Sequence, residues 1–291
     1  MSPLDALRQP VPLERLAFLR ITAPLAILGF MSSRIAHADH WLGVSGFAIP
    51  DLGGPDYRQP IYLAPLPDVL AWALGAVMVV SGLMLAAGWR TRPAGFVFAA
   101  TLFYVALADR LAAFTVSKIS GPIVLCLAFS AAGARWGVDA WLAQRRSPEA
   151  PRPTHGSAGE LRVLQAFLIA LYTSSGLCKA RGDWLSRHDI LWTHLHDAYQ
   201  TAFSHAFANL SQPWMWPVFQ GSTLIFEFFA ALWFLAPATR LPAMGFGLLL
   251  HLLIGLMFGP IVWFSLLMMA LLLGCYAPVG WLRGMMARLP G

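Results

Sequence analysis

Eight stretches of about twenty mostly apolar residues follow one another along the chain, at roughly 13–33, 67–88, 93–113, 117–136, 160–179, 214–236, 241–259 and 261–282. A helix of about twenty residues spans the hydrocarbon layer of a bilayer. Inside that layer a backbone must satisfy its own hydrogen bonds, which a helix does within one segment. The pattern therefore predicts an all-α, polytopic integral membrane protein with about eight transmembrane helices (seven to nine, because Gly259-Pro260 is a short break). Composition agrees, with 58% of residues hydrophobic and 12% charged, against about 45–50% and 25% in soluble domains. The lipid bilayer is the first partner this implies.

A net charge of +6 would suggest a nucleic-acid surface only if the basic residues shared a water-facing patch. They sit at the ends of apolar segments instead, so no nucleic acid is expected as a partner. With the N-terminus inside, eight spans put twelve of the twenty Lys and Arg on the cytoplasmic side, among them Arg8, Arg90, Arg92, Arg135, Arg152 and Arg288. Arg20, Arg58, Arg110, Lys118 and Lys179 are among the eight that fall outside or within the membrane. Every cytoplasmic turn carries an arginine, even the short GWRTRP at 88–93, so the positive-inside rule predicts a cytoplasmic N-terminus. Ala36-His37-Ala38 mimics a signal-peptidase site, but the apolar run before it is long and holds Arg20, which predicts an uncleaved first helix.

The whole chain, 1–291, reads as a single membrane domain: helices over 13–136, a Pro- and Ser-containing linker at 145–159, and helices over 160–282. Two non-cytoplasmic loops are long, about 34–66 and 180–213. The second alternates aromatic and polar residues at helical spacing, which predicts a helix lying along the membrane surface on the non-cytoplasmic side. Cys126, Cys178 and Cys275 are widely spaced and lie in or beside apolar runs, so buried free thiols are expected. Among the loop histidines, His194 and His196 point to different helix faces and His205 lies three turns on, so no metal site is expected.

Ionisable groups at membrane depth are expensive unless paired, and five stand out: Arg20, Lys118, Lys179, Glu227 and His251. Arg20 is expected in an ion pair with a neighbouring helix, or snorkelling to the surface. Glu227 and His251 each lie about 11 to 13 residues from the turn near Ala238, so the 1.5 Å rise of consecutive antiparallel helices puts them at similar depth. A contact between them would hold a quinone oxygen, shuttle a proton, or simply lock two helices. Lys179 ends an apolar helix. An amine at the mouth of an apolar pocket loses solvation, which favours its neutral, proton-accepting form; a lysine snorkelling at a helix end is the plainer reading.

The stretch YTSSGLCKARGDW (172–184) resembles the Tyr-x3-Gly-x2-Lys-x4-Trp segment of the vitamin K-dependent gamma-carboxylase superfamily, which includes the bacterial HTTM (horizontally transferred transmembrane) domain proteins. ARWGVDAWLAQRR (134–146), with its Trp-x-Val-Asp core, is similar to the segment ending the family's fourth helix. EFFAALWFLAPATR (227–240) and the run from His251 to Gly274 resemble the acidic-residue helix and the His-led helix that follow. The resemblance implies a short bacterial form in the cell inner (cytoplasmic) membrane, lacking the family's lumenal domain. It implies Lys179 as the base acting on a quinol (menaquinol, ubiquinol or a vitamin K-like compound), with Glu227, His251, Lys118 and Trp184 around the quinone or substrate. Cys178 stands where the family carries a second lysine, and TVSK with Lys118 stands where it carries Asn-Asn-His. A lipid quinone or a small secreted peptide is the further partner implied. Two functions stay open at this point: a quinol-dependent, carboxylase-like enzyme with its base at the non-cytoplasmic face, and a non-catalytic membrane helper for immunity, assembly or transport.

Overall fold

A computed structural model of the chain describes residues 9–46, 63–108, 115–196 and 200–287. Arg8, Arg58, Arg110 and Arg288 of the charge count lie outside the described residues, as does 47–62 of the first long loop. Helices make up nearly all of the regular structure: α1 (Leu13–Ile35), α2 (Ala38–Leu42), α3 (Asp68–Ala87), α4 (Thr91–Ala108), α5 (Thr115–Phe129), α6 (Val138–Arg146), α7 (Gly159–Arg181), α8 (Ile190–Leu195), α9 (Ala202–Leu210), α10 (Met215–Phe228), α11 (Ala230–Leu235), α12 (Pro237–Met257), α13 (Val262–Tyr276) and α14 (Val279–Met285). The only sheet among the described residues pairs β1 (Val11–Pro12) with β2 (His155–Gly156). The protein is an all-α polytopic membrane protein: α1, α3, α4, α7 and α12 are long and apolar enough to cross a bilayer, and α5 and α13 are shorter apolar helices. The chain divides into two compact units, 1–160 with 279–291, and 161–278.

In the first unit α1 is the core helix. It packs on α3, on α5 and on a 3-10 turn at Ala132–Ala134. Leu13, Leu16, Leu19, Ile27 and Met31 are all sealed inside. Helix α3 is apolar all round and exposes Val69, Val77, Val80 and Leu83, the pattern of a span whose outer face meets lipid. The turn from α3 to α4 closes through Gly88 at φ 68°, with Gly88 N–H bonded to the Leu85 carbonyl at 3.0 Å and Trp89 N–H to Met84 at 2.9 Å. This pair of bonds is a Schellman ending, and the left-handed conformation it needs suits glycine.

Arg20 departs from expectation: it neither forms an ion pair with a neighbouring helix nor snorkels. It is fully buried, and its guanidinium donates to backbone carbonyls of Leu85 (3.0 Å), Ala86 (2.8 Å), Ala132 (3.1 Å), Trp136 (2.6 Å) and, more weakly, Arg135 (3.4 Å). The end of α3 leaves carbonyls without helical partners, and a planar cation with five N–H donors fits that place. Glu14, also fully buried, accepts from Arg135 at 3.3 Å and from Arg283 on α14 at 2.9 and 3.0 Å. The first and last described helices are thereby joined.

In the second unit α12 and α13 form a tight pair, and the short break anticipated at Gly259-Pro260 is a 3-10 turn, Gly259–Ile261. The apolar stretch 214–236 is two helices, interrupted at Phe229 directly after Glu227 and Phe228. The surface stretch is likewise two short helices rather than one, α8 and α9. Leu195, Trp216 and Met257 form a small core among α8, α10 and α12, with Phe207 and Phe219 packed against it. Thr201 and Ser204 make a capping box at the start of α9, and the Thr201 hydroxyl donates to the Leu256 carbonyl at 2.7 Å.

Candidate functional site

Tyr172, Gly176 and Lys179 stand four and then three residues apart on α7, so they share one helix face. That face meets α10, and Gly176 sets how closely. A methyl group added at Gly176 would lie 2.4 Å from the Phe228 nitrogen and 2.8 Å from the Glu227 carbonyl carbon. Only glycine lets the two backbones touch there. The contact brings the next turn's Lys179 onto Glu227, and the two form a short, direct ion pair. The ammonium also donates to Ser175 Oγ at 3.0 Å. Glu227 sits in the last turn of α10, where the helix dipole opposes a carboxylate, so a cationic neighbour offsets an otherwise unfavourable placement.

Lys179 Nζ lies 4.9 Å from the centroid of the Trp184 ring, a cation–π arrangement. Both residues line a cleft of about 380 Å³ with Cys178, Asp183, Arg187 and His194. That volume falls within the range that holds a small molecule. Cys178, expected to be a buried thiol, is exposed here because the last turn of α7 runs clear of its neighbours; Cys275 is buried and Cys126 half-buried. Arg187 is held to Asp189 by two bonds of 3.0 and 3.1 Å. Hydrogen bonding from Arg187 keeps the Asp189 carboxyl below its usual range. Both side chains are more than half exposed, so the pair adds little stability.

Gln220 is a positioning residue that the sequence did not single out. It is buried on α10, and its amide donates to the carbonyls of Trp184 at 2.7 Å and Arg187 at 2.5 Å. The loop bearing the Trp184 ring is thus tied to the helix bearing Glu227. Gln220→Leu is expected to remove two part-buried hydrogen bonds at about 1 kcal/mol each or less. Faster amide hydrogen exchange over 183–188, with α12 and α13 unchanged, is the result that checks it.

Glu227 and His251 are both buried, yet each has its own partner and no hydrogen bond joins them. His251 Nε2 bonds the Tyr172 hydroxyl at 2.7 Å, while Nδ1 has no partner among the described residues. Phe264 packs edge-on to the imidazole at 5.5 Å, and Tyr172 stacks near Phe234. One face of α7 therefore holds both the carboxylate and the histidine, through Lys179 and Tyr172 respectively. Lys118 is exposed on α5, in the first unit. The signal for Tyr172 and Gly176 was present in the Tyr-x3-Gly-x2-Lys spacing.

A family model described as the HTTM domain matches residues 54–281, more than three quarters of the chain. No curated protein and no solved structure matches it.

Proposed function

The chain belongs to the HTTM domain family, and from that premise we propose that this multi-pass membrane protein is a quinol-dependent, carboxylase-like enzyme whose proton acceptor is the Lys179–Glu227 couple. The observation that carries the reading is a partly buried lysine paired with a buried carboxylate, opening on a small cleft beside an indole ring. An aromatic wall and a neighbouring amine suit a ring that carries a hydroxyl group. A quinol, when bound, supplies that hydroxyl and the reducing equivalents of the reaction.

The residues of the chain then have distinct tasks. Trp184 orients a flat ring against the cleft wall. Lys179 Nζ takes the substrate's hydroxyl proton as it passes one of its own to Glu227 Oε2. The two transfers are coupled, so no second cation accumulates in a poorly solvated place. Tyr172 and His251 anchor the face of α7 from which Lys179 projects. Carboxylation of a glutamyl side chain belongs to the same proposal, with a small secreted peptide as its substrate: dioxygen would accept the quinol's reducing equivalents, and carbon dioxide would replace the proton lost from the glutamyl γ-carbon. The cell inner membrane, with the N-terminus cytoplasmic and the cleft on the opposite side, is the setting that the arginine distribution favours.

Lys179→Arg keeps a cation beside Glu227 and Trp184 but replaces the amine by a group that does not release its proton. The expected result is quinone still extracted with the purified protein and quinol oxidation lowered about a hundredfold or more. Wild-type turnover in Lys179→Arg, or no quinone in the wild-type extract, would sink the proposal. The helper reading has its own support in the Glu227 bond to Lys179, which locks α7 to α10 without chemistry. It predicts that Glu227→Gln lowers the melting temperature while cellular function persists.

A further inference from the structure

The arginines of GWRTRP and ARWGVDAWLAQRR play no part in the Lys179 cleft, yet they converge. In the first unit Arg90, Arg92, Arg135 and Arg152 line a second cleft, of about 580 Å³, together with a single carboxylate, Asp139. Both Asp139 oxygens are already engaged at the start of α4. They accept from Arg90 N–H at 2.9 Å and from the N–H and hydroxyl of Thr91 at 2.8 Å each. Arg135 shares the buried Glu14, but its Nε is buried without an acceptor. Arg152 bonds only the neutral Gln144, at 3.1 Å. Among the described residues no carboxylate pairs with Arg90, Arg92 or Arg152. The cleft thus gathers four guanidinium groups and leaves most of their charge unanswered.

The backbone around it is held in costly shapes. Arg90 and Trp136 have φ of 48° and 50°, a region that a bulky residue such as tryptophan rarely enters. Asp139 fixes the first by its N–H, and Arg20 fixes the second by its carbonyl. Strain of this kind persists where surrounding contacts over-determine it, and such places are frequently binding sites. The depth in the membrane is legible too. The cleft is built from the start of α4, the 3-10 turn that follows α5, helix α6 and the 147–153 stretch. Trp89 and Trp141 are exposed beside it, and Phe129 more so. Tryptophans at helix ends mark the level of lipid headgroups.

We propose that this cleft binds a phosphate group, and that the phosphate is the headgroup of an anionic phospholipid. Guanidinium pairs phosphate with two parallel charge-assisted hydrogen bonds, and basic pockets between helices at the cytoplasmic surface recognise such headgroups. Helix α4, which starts at the cleft, exposes Phe96 and Val97, apolar side chains that suit acyl chains.

The test uses the full chain purified in a non-ionic detergent, with melting temperature and native mass spectrometry as readouts. Phosphatidylglycerol, phosphatidylcholine and inorganic phosphate are added separately. Phosphatidylglycerol is expected to raise the melting temperature by several degrees and to be retained on the protein, while phosphatidylcholine does neither. The double variant Arg92→Gln/Arg152→Gln, altered at two exposed side chains, is expected to melt like the wild type without lipid. Its response to phosphatidylglycerol should fall about tenfold or more in apparent affinity. A shift with inorganic phosphate alone, abolished in the double variant, supports the phosphate site and assigns it to a soluble ligand. Equal shifts with both lipids, no shift with any addition, or a double variant that responds like the wild type overturns the proposal.

Discussion

Arg20→Met is expected to leave almost no folded protein after detergent extraction. Methionine keeps the apolar stem but donates nothing, so the carbonyls of Ala86, Ala132 and Trp136 lose their partner, and that of Leu85 keeps only its bond from Gly88 N–H. Each buried group left unsatisfied costs about 1–3 kcal/mol. Three of them amount to a large part of the stability of an ordinary domain, about 5–15 kcal/mol. The three segments that Arg20 ties together also lose the device that holds Trp136 in its left-handed conformation. Arg20→Lys keeps the charge with fewer, less spread donors and should rescue part of the yield. The measurement is the monodisperse fraction on size-exclusion chromatography, followed by a thermal melt. An Arg20→Met protein that elutes and melts like the wild type would show that the carbonyls find other partners.

The second large effect is expected at Gly176. A valine there must push α7 away from α10, because the atoms its Cβ would meet are backbone and cannot swing aside. Overpacking of this kind costs about 1–3 kcal/mol, and the gap it opens falls next to Lys179. Gly176→Val should therefore lose both melting temperature and retained quinone, with Gly176→Ala between it and the wild type. Gly245→Ala on α12 serves as the control, since nothing lies within 4 Å of the added methyl. It should be neutral or slightly stabilising, as alanine favours a helix over glycine by about 1 kcal/mol. If Gly176→Val retains quinone like the wild type, the close approach of α7 and α10 has no role in the cleft.

The membrane-spanning architecture was legible because the bilayer imposes one length on each apolar stretch, whatever packs beside it. The break at Phe229 was not, since the residues on either side of it are apolar and no proline or glycine marks it. Distance from one turn gives Glu227 and His251 a common expected depth, but no facing direction. Rotation about the helix axis decides which neighbour each one meets, and it sends Glu227 to Lys179 and His251 to Tyr172. The shared face of Tyr172, Gly176 and Lys179 could be read from spacing alone. Arg20 and Gln220 could not be understood that way, because every partner they have is a backbone carbonyl, which no residue type reveals.

The order in which the chain is made gives the Glu14 contact another meaning. Arg283 follows Glu14 by 269 residues, and at a translation speed of about 5–20 residues per second the interval is on the order of tens of seconds. In the later part of that time the second unit is being threaded into the membrane while the first still lacks its closing helix. A ribosome stalled anywhere along 161–278 leaves the buried Glu14 with Arg135 alone, at 3.3 Å, and without the two shorter bonds from Arg283. The arrival of α14 thus works as a completion check, and chains cut short within the second unit should be the preferred substrates of membrane proteases.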